Sequence, residues 1–127
     1  MIPKEETEQI AFVNWLEAMN IKFSAIPSST YTKSWSVKNR NTRMGVRPGV
    51  PDLMIALPGV GIVWIELKRQ KGGVVSQYQK DWIATLNACP GTQAFIAKGC
   101  DEAIAIIKPL LNLVTFEPAK PLKEFTF

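Results

Sequence analysis

Two apolar runs in the middle of the chain end in charge. Asp52 opens the run Leu-Met-Ile-Ala-Leu, directly after Pro51. Glu66 and Lys68 close the run Ile-Val-Trp-Ile-Glu-Leu-Lys. Side chains alternate along an extended strand, so Glu66 and Lys68 share one face while Leu67 points to the other. A turn centred near Gly59 sets Asp52 opposite Glu66 if the two runs form a hairpin, and a slip of one residue would separate them. Two carboxylates brought together repel unless a cation neutralises them. A divalent metal does this, and hard oxygen ligands favour Mg²⁺ or Mn²⁺ over zinc. The backbone carbonyl of Leu67 is a further candidate ligand. Such a site also binds a phosphate oxygen and acidifies a water, with Lys68 placed to orient that water or stabilise a pentavalent phosphate. The competing explanation is a salt-bridged hairpin end in which Lys68 pairs with Glu66 or Asp52.

Composition narrows the chemistry further. The 127 residues contain no His and 2 Cys, which excludes Ser-His-Asp and Cys-His catalysis, His-metal nucleases and a Cys/His zinc site. Cys89 and Cys100 read as two free thiols of a reducing cytosol rather than a disulfide framework. No apolar run reaches the roughly 18 residues of a membrane helix, and the charged start Met-Ile-Pro-Lys-Glu-Glu-Thr-Glu does not read as a secretory signal. A cytoplasmic protein is the expectation.

The net charge of +4 is concentrated in one place. Residues 28–50 carry Lys33, Lys38, Arg40, Arg43 and Arg47 and no acid, and without those five the chain holds 10 basic against 11 acidic residues. A local cluster of this kind points to a polyanion. The segment is also rich in Ser, Thr and Asn, which contact phosphate oxygens, and includes Trp35, whose polar neighbours leave it available to stack on a base. It reads as a long basic loop, and function is the usual reason for such a loop within a small domain.

Positioning elements surround these residues. Apolar residues at 12, 13, 16 and 19 predict a helix over about 5–20, ending at Asn20. Residues 21–27 read as a short strand, 52–57 and 62–67 as a hairpin, and 92–97 as a further strand. Ser76 is placed to cap a helix running to about Asn87, with Trp82, Ile83 and Leu86 inward, and Asp101 to cap a last helix through about Leu113. Trp15, Trp64 and Trp82 fall within periodic apolar segments and read as core or dimer contacts. Gly72-Gly73 lacks the spacing of a phosphate loop and reads as a turn. Arg69 and Lys71 follow the charged strand and are equally explained as solvated positions or phosphate contacts. The whole is a small α/β domain with helices over both sheet faces.

Val50-Pro51-Asp52 followed by Glu66-Leu67-Lys68 resembles the pattern of the PD-(D/E)XK nuclease superfamily. Gly49-Val50-Pro51-Asp52, the segment Ser76-Gln77-Tyr78-Gln79-Lys80-Asp81-Trp82, and an N-terminal helix bearing Glu and Gln before Trp15-Leu16 resemble one branch of it, the virus-type replication-repair nuclease (VRR-NUC) family. The likeness spans roughly residues 5–113 of a single domain over 1–127, with 114–127 as a C-terminal extension carrying Phe116, Phe125 and Phe127. It implies a restriction-endonuclease-like fold with a mixed central sheet flanked by helices, Mg²⁺ or Mn²⁺ dependence, and phosphodiester hydrolysis in DNA. Stand-alone members from phages and bacteria are implied to be small homodimers acting in DNA repair on branched substrates such as Holliday junctions. By the same likeness Asp52 and Glu66 match metal-binding acids, Lys68 the catalytic lysine, and Gln79 a glutamine close to the metal or phosphate. The N-terminal acid stays open. Glu5 lies at the centre of the Phe12, Leu16, Met19 stripe and is preferred, with Glu8 at its edge second. An acidic first turn that merely favours the helix dipole is the plain explanation of both. A non-catalytic DNA-binding module using only the basic loop is the alternative function.

Overall fold

Period-two alternation of branched apolar residues builds the centre of the protein. A computed structural model describes residues 2–27 and 34–115. In chain order these residues form α1 (Glu5–Ala18), β1 (Lys22–Ala25), α2 (Trp35–Arg43), β2 (Leu53–Leu57), β3 (Gly61–Lys68), α3 (Gln77–Asn87), β4 (Thr92–Lys98) and α4 (Cys100–Ile107), followed by a 3-10 turn at Lys108–Leu113. The four strands make one sheet in the order β1-β2-β3-β4. β1, β2 and β3 pair antiparallel, and β4 lies parallel to β3 after a crossover through α3. This is the mixed sheet flanked by helices that the family resemblance implies.

The sheet's two faces differ. Leu53, Ile55 and Leu57 of β2 and Val63, Ile65 and Leu67 of β3 alternate onto one face and are fully or almost fully buried with Phe12 and Leu16 of α1 and Ala103 and Ile107 of α4. α3 covers β4 from the other side, where the Asn87 side chain bonds both the N–H and the carbonyl of Ala94. Glu66 and Lys68 point to that second face, yet they are only 3% and 8% exposed. A buried charge is costly unless it is paired, so both need partners on that face.

Three local expectations are corrected. Residues 35–43 are not loop but the helix α2, capped by the Ser34 hydroxyl, which accepts from the Val37 N–H at 3.4 Å. Asp101 does not cap α4; its N-cap is Gly99, with φ +91°, which has no side chain to offer. The last helix also stops being α-helical at Ile107, where Pro109 lacks the N–H that an α-helical ladder needs, and continues as a 3-10 turn. Lys33 and the Phe-bearing tail from Phe116 lie outside the described residues.

Candidate metal centre and nucleic-acid face

The hairpin register decides whether the acids meet. Leu53 pairs with Ile65, so Asp52, one residue earlier, stands across from Glu66. The pair is locked reciprocally. The Asp52 N–H donates to Glu66 Oε2 at 3.1 Å, and the Leu67 N–H donates to Asp52 Oδ2 at 2.8 Å. The Asp52 carbonyl accepts from Ile26 N–H at 2.8 Å, tying the same residue to the end of β1. Upstream, Pro51 is fully buried, which strands no donor because proline has none. Gly49, with φ +88°, packs so closely on Tyr78 that a Cβ would lie 2.5 Å from the Tyr78 carbonyl carbon. Glycine is required there for both reasons, and it lets the Gly-Val-Pro-Asp segment pass under the start of α3.

α3 in turn fixes Glu66. Ser76 and Gln79 form a capping box, with the Gln79 N–H donating to Ser76 Oγ at 3.2 Å and Gln79 Oε1 accepting from the Ser76 N–H at 2.9 Å. That leaves the Gln79 amide nitrogen to donate to Glu66 Oε1 at 2.6 Å. Its orientation is settled by its partners, since a backbone N–H needs an acceptor and a carboxylate a donor. Lys68 Nζ lies 3.5 Å from the same Glu66 oxygen.

Glu5 completes the cluster from the first turn of α1. One carboxylate oxygen each from Glu5, Asp52 and Glu66 lie within 4.8 Å of one another. Of the two N-terminal candidates, Glu5 is therefore the one at the acids, while Glu8 turns to the start of α4. Three acids against one ammonium leave excess negative charge in a half-buried place. Burial pushes the Glu5 and Asp52 carboxyls above their ordinary values. Burial, with the neighbouring Asp52 charge second, pushes Glu66 up to about 8. The donor set is all hard oxygen and carries more negative charge than its surroundings compensate, which fits a divalent ion of the Mg²⁺ or Mn²⁺ type. The Leu67 carbonyl fits as a further donor, because the N–H and carbonyl of one strand residue face the same edge, and its N–H already faces Asp52.

A pH dependence follows. At pH 6 the folded, metal-free protein holds a proton on Glu66 that the unfolded chain, at its ordinary value near 4.5, has released. Raising the pH through this window therefore favours the unfolded chain, and the contribution is lost by about pH 8. Thermal melts in EDTA will show Tm falling from pH 5.5 to 8.5, and the rise in Tm on adding Mn²⁺ will be larger at the alkaline end. A metal-free Tm that climbs across this range would contradict the carboxylate geometry.

The basic segment forms a separate element, α2, that carries none of the acids. None of its residues is buried, and Trp35 is 78% exposed. Lys38, Arg40 and Arg43 are exposed along it. Arg47 differs: its guanidinium donates to the carbonyls of Thr42 at 2.8 Å and Val46 at 3.2 Å and so closes the C-terminal end of α2. One cation escaped the sequence reading. Lys98 pairs with Lys68 in the parallel β3–β4 register, on the same face, and is exposed. Only sheet register brings these two lysines together.

Both cysteines are free thiols, and no helix among the described residues is long and apolar enough to cross a membrane. Comparison with known proteins adds three findings. No curated protein matches the chain. A solved structure, a VRR_NUC domain protein, superposes with a TM-score of 0.74 at 26% sequence identity, over 92% of this chain and 95% of that one. The family model of the VRR-NUC domain matches residues 2–101. With a mixed four-stranded sheet of the PD-(D/E)XK-like α/β type and a family match over most of its length, the chain belongs to the VRR-NUC domain family of nucleases.

Proposed function

We propose that the protein is a metal-dependent DNA endonuclease that hydrolyses phosphodiester bonds and prefers branched DNA such as Holliday junctions. The observation that carries this reading is the convergence of Glu5, Asp52 and Glu66 with Lys68 beside them. Asp52, Glu66, Glu5 and the Leu67 carbonyl would hold Mg²⁺ or Mn²⁺. The bound ion supplies positive charge to a phosphate oxygen and lowers the pKa of a water. Lys68 orients the attacking water and meets the charge that grows on the phosphate oxygens. Gln79 keeps Glu66 turned toward the acids by holding its other oxygen. Lys98, next to Lys68, contacts a flanking phosphate.

α2 supplies the wider DNA contact through Lys38, Arg40 and Arg43, with Trp35 stacking on an exposed base where strands part. Arg47 and Lys33 extend the same basic segment. Replacing Lys38, Arg40 and Arg43 together with Ala will weaken DNA binding and flatten its salt dependence by about 2–3 units of the log–log slope, since each phosphate contact contributes about 0.9. Fluorescence anisotropy at several salt concentrations measures this, and an unchanged slope removes α2 from the interface.

Two symmetric cuts across a four-way junction need two active sites, and a homodimer supplies them. The reading is tested with a panel of labelled junction, flap, nicked and plain duplex DNA in Mg²⁺, Mn²⁺ or EDTA. Paired cuts at symmetric positions in the junction, lost in EDTA, are the expected result. Binding without cleavage in every divalent ion would favour the DNA-binding module instead.

A further inference from the structure

We propose that Glu8 is a positioning residue, a latch that sets where Glu5 stands relative to Asp52 and Glu66; this rests on the metal-centre reading above. Glu8 is a carboxylate only 6% exposed, and among the described residues it forms no salt bridge. Instead it accepts a hydrogen bond from the Cys100 N–H at the start of α4 and another from Gln70 Nε2 at 3.1 Å. It thus provides from α1 the cap that Gly99 cannot provide locally, with its charge at the positive end of the helix. The fit around it is close. A Cβ on Gly99 would lie 2.6 Å from Glu8 Oε2 and 2.9 Å from Gln70 Cγ. The Gly99 N–H donates to the Lys68 carbonyl at 2.9 Å, so the same junction also grips the end of β3.

The consequence concerns α1. Its buried residues are Glu8, Phe12 and Leu16, so Glu8 is the one buried side chain in the first two turns of the helix. Glu5 lies in the first of those turns. The apolar core fixes the far half of α1, while Glu8 fixes the half that carries Glu5. Releasing Glu8 leaves Phe12 and Leu16 in place but frees Glu5 to move away from the other two acids.

The test is Mn²⁺ binding to the full chain, read by electron paramagnetic resonance at a temperature well below Tm. Glu8→Ala will weaken Mn²⁺ binding roughly 10-fold, as loss of an outer-shell partner does. Glu8→Gln, which keeps an acceptor for Cys100, will recover most of it. Gln70→Leu will weaken binding by a smaller factor and serves if Glu8→Ala does not fold. In the double variant with Glu5→Gln, loss of Glu8 or Gln70 will add little further, because both act through Glu5. A lowered Tm with unchanged Mn²⁺ affinity, or losses that simply add, would overturn the latch and leave Glu8 a structural cap. If the unaltered protein binds no Mn²⁺, it is the metal-centre reading that fails.

Discussion

Asp52→Ala will abolish Mn²⁺ binding and reduce DNA cleavage by at least about a thousandfold, close to 4 kcal/mol of lost transition-state stabilisation, while DNA affinity stays within about twofold. The size follows from what the carboxylate does. It is one of three acids within 4.8 Å, and it also receives the Leu67 N–H at 2.8 Å, so it orders both the ligand set and the strand that carries Glu66 and Lys68. DNA affinity survives because the exposed cations of α2 belong to a different element. A second readout comes from metal-free protein. Removing one negative charge relieves Glu66, whose carboxyl will then titrate below its value of about 8. Asp52→Asn keeps an acceptor for Leu67 and separates the loss of charge from the loss of a hydrogen bond. Cleavage within tenfold of the unaltered protein would place the chemistry elsewhere.

Lys68→Ala will behave differently: the turnover rate will fall by about 10²–10³-fold with Mn²⁺ affinity retained, the magnitude of losing one preorganised electrostatic contact to a developing charge. Its ammonium lies 3.5 Å from Glu66 Oε1 and lowers the proton affinity of that carboxyl. Without it Glu66 in the metal-free protein holds its proton to higher pH. Lys68→Arg will restore the charge but little of the rate, because a planar guanidinium cannot replace a compact ammonium in a place only 8% exposed. The two variants together separate ion binding from chemistry. A Lys68→Ala protein that lost Mn²⁺ binding as fully as Asp52→Ala would make the lysine structural.

The convergence of Asp52 and Glu66 was legible because the two residues are local in sequence. A short turn joins the runs bearing Asp52 and Glu66, and strand alternation then fixes which side chains share a face. Gln79 was legible only by family likeness; its actual partners, Ser76 and Glu66, come from one capping box and one helix–sheet contact. α2 was missed because Trp-Ser-Val-Lys-Asn-Arg-Asn-Thr-Arg has no apolar stripe to read and few strong helix formers. The helical wheel ranked Glu5, at the centre of the apolar stripe, ahead of Glu8 at its edge, and Glu5 is the one that meets Asp52 and Glu66. What the wheel lacks is the destination of Glu8, which is tertiary: α4 begins at a glycine and draws its cap from 92 residues away. No local rule for helix starts contains that information, which is why Asp101 looked like the cap. Lys98 was hidden for the same reason, because parallel register joins strands that are far apart in sequence.

The most direct test is crystallographic. Crystals soaked in Mn²⁺ and measured at the manganese absorption edge will give an anomalous peak roughly 2.0–2.3 Å from carboxylate oxygens of Asp52 and Glu66, with Glu5 beside it. Manganese found only elsewhere on the protein, with these three acids bare at saturating Mn²⁺, would contradict the account.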